Sequence, residues 1–142
     1  MKFDGVFFGI IRHKDGTTTS WRKHNLITKA GYEFVIKSMF ETNNRPSPLA
    51  YIALGKGVTP TTDDMTALED EVIRVPAIWE WFPEEKSCHV SAQLPEGSSF
   101  NVSEAGLFNA ATGGVMFDRA TFKTKGVDDT DEITALFKIN LV

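Results

Sequence analysis

The chain has 142 residues, 42% of them hydrophobic and 24% charged, with a formal net charge of −4 at pH 7. That balance excludes a disordered or fibrous chain and suits one soluble domain spanning residues 1–142. Net negative charge gives no general attraction to nucleic-acid phosphates or anionic lipid, so neither nucleic acid nor membrane is an expected partner, and a single cysteine, Cys88, excludes an intrachain disulfide and a thiolate zinc site.

The N-terminal apolar run is broken by Asp4 and reaches charge again at Arg12. It is too short to span a bilayer and has no small-residue cleavage pattern after it, so the expectation is a protein soluble inside the cell that makes it. Residues 6–11 and 17–22 are rich in β-branched and aromatic side chains, and Lys14-Asp15-Gly16 lies between them. Asp-Gly tolerates positive φ, so this pattern predicts an N-terminal β-hairpin. Thr28 is placed to cap a helix over 29–40, in which Tyr32, Val35, Ile36 and Met39 or Phe40 recur on one face. Residues 41–48 then carry asparagines and two prolines, which continue neither helix nor strand.

From residue 49 the pattern changes to short apolar runs separated by Gly, Pro, Asp and Asn clusters. Strands are expected over 49–54, 73–82, 87–94, 100–109, 115–123 and 133–141, with hairpin connections at 83–86 and 112–114. The long connection over 55–71 carries Thr62-Asp63-Asp64, which would cap a short helical turn over 66–70. The fold class is therefore mainly β: an antiparallel β-sandwich with an N-terminal hairpin and one α-helix over about residues 29–40.

Motifs with chemical potential read better as structure. Gly55-Lys56-Gly57 follows a predicted strand, yet Pro60 stands where a dinucleotide fingerprint needs its third glycine, and the Walker pattern is absent. His13, His24 and His89 are scattered and match no metal motif, and the acidic runs 63–64 and 128–132 lack the spacing of a calcium loop. No serine, Ser98 and Ser99 included, sits in a G-x-S-x-G turn. A carboxylate pair drawn from Glu69, Glu71 and Glu104 is no more than any acidic chain offers. The reading is no catalytic, cofactor-binding or metal-binding residue, hence no cofactor and no enzyme.

Arg74 and Arg119 lie in apolar strand contexts, where a guanidinium needs an acceptor to offset desolvation. The expectation is that Arg119 pairs with Glu104 or Glu71 inside the fold. Trp79 and Trp81, two apart on one predicted strand, point to one face. Core packing is the default for them, with a subunit interface or a sugar-stacking platform as alternatives.

Three stretches, NLITKAG at 25–31, YIALGKGVTPTTDDMTALEDEVIR at 51–74 and EAGLFNAATGGVMFDRATF at 104–122, resemble in that order the elements of small tail-associated structural proteins and fibre domains of tailed bacteriophages. The resemblance implies a β-sandwich virion component, assembled in the host cytoplasm, that joins other tail, baseplate, collar or neck proteins by protein–protein contact. It marks Asn25, Gly31, Gly55, Gly57, Glu71, Arg74, Glu104, Gly106, Phe108, Gly114 and Arg119 as scaffold positions. The chain differs from fibre proteins in having no repetitive shaft or separate receptor-binding tip, and its ending at the last predicted strand fits a whole adaptor. An open sandwich also leaves strand edges that a neighbouring subunit can pair, so a homo-oligomer is expected. The alternative is a carbohydrate- or receptor-binding module of a tail fibre.

Overall fold

The computed structural model describes residues 2–94, 96–97 and 99–142, so Ser98 lies outside the described residues. The elements in chain order are β1 (Phe3–Arg12), β2 (Thr18–Ile27), α1 (Lys29–Phe40), β3 (Tyr51–Gly55), β4 (Glu71–Pro76), β5 (Ile78–Phe82), β6 (Ser87–Leu94), β7 (Phe100–Phe108), β8 (Met116–Val127) and β9 (Glu132–Leu141). Among the described residues nine antiparallel strands form one sheet in the order β4-β3-β7-β8-β2-β1-β9-β6-β5. The sheet is nearly closed on itself, a mainly β fold of sandwich or barrel-like form with one helix, as the sequence predicts.

The hairpin forms as expected. Gly16 adopts φ 88° and its amide bonds the His13 carbonyl at 2.9 Å, while Asp15 accepts from the Thr17 amide at 2.9 Å. A side chain at that positive φ would be strained, so glycine sets the turn and the turn sets the β1–β2 register. Two more glycines in β1 make room for partners on β2: Trp21 lies over Gly9, and Asn25 over Gly5.

Five strands (β2, β1, β9, β6, β5) make one half of the sheet, and β4, β3, β7 and β8 make the other. In the sheet the halves join where Leu26 and Ile27 pair with Arg119 and Asp118, and the Thr28 amide extends the contact to the Phe117 carbonyl at 3.0 Å. Phe7, Ile11, Val90 and Phe137 from the first half and Ile52, Leu54, Ala105 and Leu107 from the second enter one core. Phe7 anchors it, stacked on Phe122 at a centroid distance of 5.4 Å and tilted against Phe137 at 5.0 Å.

Helix α1 begins at the predicted cap. The Thr28 hydroxyl accepts from the Gly31 amide at 2.9 Å and donates to the Met116 carbonyl at 2.8 Å, so one buried side chain both caps the helix and ties it to β8. Gly31 rests on the backbone of Phe117, with no space for a Cβ. The packing face consists of Gly31, Phe34 and Val35. Consequently the stripe singled out in the sequence turns largely outward: Tyr32, Ile36, Met39 and Phe40 are exposed, Phe40 by 70%. The need for close approach at Gly31 decides the helix rotation over the larger apolar side chains.

Two further expectations are corrected. The run 73–82 is two strands, because the chain turns at Ala77 from the β3 side of the sheet to the β6 side. Residues 66–70 form no helical turn; they bend at 67 and 69–70, where the amides of Glu69 and Asp70 bond to the Glu104 carboxylate at 2.9 and 2.8 Å.

Candidate functional site

The densest polar construction in the protein lies beneath the connection 56–70. On β7, Glu104 faces the same side as Gly106 and Phe108, away from the core residues Ala105 and Leu107. Its carboxylate accepts from the amides of Gly57 (2.7 Å), Glu69 and Asp70, and from Arg119 Nε at 2.9 Å. Arg119, on the neighbouring strand, also donates from Nη1 to the Thr59 carbonyl at 2.8 Å and to Thr61 Oγ1 at 2.9 Å. Both side chains are fully buried, so the expected partner for Arg119 is Glu104. A buried ion pair survives desolvation when most of its remaining hydrogen-bonding capacity is met, and here the loop supplies three amides, a carbonyl and the Thr61 hydroxyl, leaving Arg119 Nη2 as the one buried guanidinium nitrogen without a partner among the described residues. Glycine is required at Gly55 and Gly57, where a Cβ would strike the same carboxylate.

A second arginine node pins the turn after β7. Arg74 makes a two-toothed contact with Glu71 (2.6 and 2.9 Å), donates to the carbonyls of Ala110 and Gly113, and stacks on the Phe108 ring at 3.7 Å. Gly114, at φ 74°, completes that turn.

The third construction joins the two halves. Asn25 on β2 donates from Nδ2 to Asp118 Oδ2, while Asp118 Oδ1 and Asn25 Oδ1 are buried without a partner. Burial pushes the Asp118 carboxyl well above the usual carboxylate range, against the lowering effect of the Leu107 backbone and Asn25 hydrogen bonds. Sequence reasoning missed Asp118. The available signal was the pair Asp118-Arg119 inside an apolar strand, because alternation sends one of the two toward the core.

The scaffold positions implied by the resemblance thus fall into three groups. Gly55, Gly57, Glu104, Gly106 and Arg119 surround the loop; Glu71, Arg74, Phe108 and Gly114 hold the turn; Asn25 and Gly31 sit where β2 and α1 meet β8. All are structural in what they touch. The histidines do not converge: His13 bonds Asp131 at 3.0 Å, His24 is exposed near Asp4, and His89 lies tilted against Phe82 with ring centroids 4.2 Å apart. Among the described residues no group of three His, Cys, Asp or Glu side chains is placed to hold a metal ion. Burial raises the Cys88 thiol above its ordinary pKa, opposite to what a reactive thiolate needs.

Trp79 and Trp81 do not pack in the core, contrary to the default reading. They pair with Val90 and Cys88 on the core side of the sheet, but β5 is its last strand among the described residues and both stay exposed. Trp79 is 69% exposed and Trp81 47%. Among the described residues, the outer stripe of α1 and this tryptophan-bearing edge each gather several exposed apolar side chains.

Among the described residues no helix is long and apolar enough to cross a membrane. Comparison with protein-family models, with curated proteins and with solved structures gives no match.

Proposed function

We propose that this protein is a structural component of a tailed bacteriophage particle, a homo-oligomer that connects or decorates tail, baseplate or neck through protein–protein contacts. The observation that carries the reading is the division of labour among its side chains. The motif residues behind the resemblance are built into loop and turn anchors, and large apolar side chains, Ile36, Met39, Phe40, Ile78, Trp79 and Trp81, are left facing solvent. Exposed aromatic and methionine side chains of this kind are the usual material of protein interfaces. A rigid β-body with pinned loops presents such surfaces with little loss of conformational freedom on assembly.

Two measurements test it. Mass determination in solution is expected to exceed the 15.8 kDa of one chain, and electron microscopy of intact particles is expected to locate the chain in the tail, baseplate or neck. A monomer absent from purified particles ends the proposal.

The exposure of Trp79 and Trp81 also favours the glycan-binding alternative, because residues two apart on a strand stand roughly 7 Å from each other, a spacing suited to stacking on sugar rings. Glycan-array binding that is lost in Trp79→Ala, with folding intact, would select that reading.

A further inference from the structure

We infer that the outer edge of β5 is a docking strand for an extended segment of a different protein, one that carries a lysine or arginine opposite Glu80. This rests on the assembly reading above and names the partner chemistry at one of its surfaces.

The direction of the backbone groups comes first. The Leu141 amide bonds the Lys86 carbonyl at 3.0 Å. Bonded and unbonded pairs alternate along an antiparallel ladder, so Cys88, Val90 and Ala92 turn their backbone groups to β9, while Ser87, His89 and Ser91 turn theirs to β5. Their partners on β5 are Phe82, Glu80 and Ile78. What remains on the free side of β5 is the N–H and C=O of Trp79 and of Trp81. A strand laid along this edge meets four backbone groups, with the two indole rings as a wall on the core side.

The protection on this five-residue strand is the single charge of Glu80. Ile78–Phe82 contains no proline, lysine or bulge, although an exposed apolar edge of this kind invites pairing. Backbone pairing supplies affinity in strand addition, and flanking side chains supply selectivity.

Charge selects the occupant. Glu80 lies on the outer face at the centre of the strand, and the nearby Lys138 and His89 stand by Glu85 instead, at 3.2 and 3.9 Å. Glu80 has no salt-bridge partner among the described residues. A second copy of the chain in antiparallel pairing has three registers to choose from. Pairing Trp81 with Trp81 brings Trp79 to Pro83, which has no amide. Pairing Trp79 with Trp79 needs the Ala77 amide, already bonded to Ala50 at 2.8 Å. Pairing Trp79 with Trp81 sets Glu80 directly against Glu80, where like charges oppose association. A foreign strand with a cation at that position fills all four backbone bonds and neutralises Glu80.

The probes are three synthetic peptides: acetyl-TVTKTVT-amide, the same peptide with Glu at its centre, and the Lys peptide N-methylated at its two bonding amides. Binding to the full chain is read from the amide resonances of Trp79 and Trp81 and from indole fluorescence, at peptide concentrations up to millimolar. The Lys peptide is expected to bind roughly five- to tenfold more tightly than the Glu peptide, Glu80→Lys to reverse that preference with unchanged circular dichroism, and N-methylation to abolish binding. Equal binding of both charges, binding that survives N-methylation, or no response of either tryptophan overturns the inference. So does self-association of the chain that moves the Trp79 and Trp81 amides, since a second copy then occupies the edge. Incorporation into particles is a separate readout, so a failed edge and a failed assembly role remain distinguishable.

Discussion

The two end strands of the sheet are consecutive in the chain and opposite in design. On β4 the Ala77–Ala50 bond fixes the alternation, so Arg74 and Pro76 face the free edge. Pro76 presents no N–H there, and the Arg74 side chain folds back onto Phe108 and Glu71. The connection 56–70, which leads into β4, is held over β7 and β8 by Glu104 and Arg119. By contrast β5 has no proline or bulge, only the charge of Glu80, and two exposed tryptophans. Edge strands invite unwanted pairing, so a chain that guards one edge and leaves its neighbour open separates structural reinforcement from contact surface.

The largest expected effect comes from removing the anchor of the connection that leads into β4. Glu104→Ala leaves Arg119 buried without its counter-charge and three loop amides without an acceptor. A loss of about 3–5 kcal/mol is expected in urea denaturation, with faster protease cleavage within 56–70. Stability close to that of the parent chain would mean that the loop is not an anchor.

A perturbation at the joint between the halves acts on both ends together. Because the folded protein holds Asp118 with a raised pKa, its contribution is fully present below the unfolded value near 3.8 and is lost as pH rises through the folded value. Denaturation followed from pH 4 upward should show stability falling from this group, and Asp118→Asn should flatten the fall. An unchanged slope in that variant removes Asp118 as its source.

Smaller effects separate the edges themselves. Arg74→Ala is expected to lose about 1–3 kcal/mol by freeing the 109–114 turn and uncovering Phe108. Pro76→Thr restores an outward amide to β4 and should raise concentration-dependent association, measured by light scattering. At the other end Trp79→Ala is expected to change stability by less than about 0.5 kcal/mol, as for an exposed side chain remote from any anchor. A Trp79→Ala loss as large as that of Arg74→Ala would erase the contrast between the two edges.

The hairpin at Asp15-Gly16, the Thr28 cap, most strand positions and the need of Arg74 and Arg119 for acceptors were legible in the chain, because each depends on neighbours in sequence or on the cost of burying charge. The outward turn of the α1 stripe was not. Periodicity shows that apolar residues share a face, whereas the rotation of that face is decided by Gly31 meeting the Phe117 backbone. The split of 73–82 and the exposure of Trp79 and Trp81 escaped for a related reason. Alternation reads the same in a central strand and an end strand, and only the order of strands in the finished sheet decides what lies opposite. Local composition thus determined the elements and their caps; long-range packing decided which faces are covered, which carboxylate stands beside which arginine, and which edge remains free.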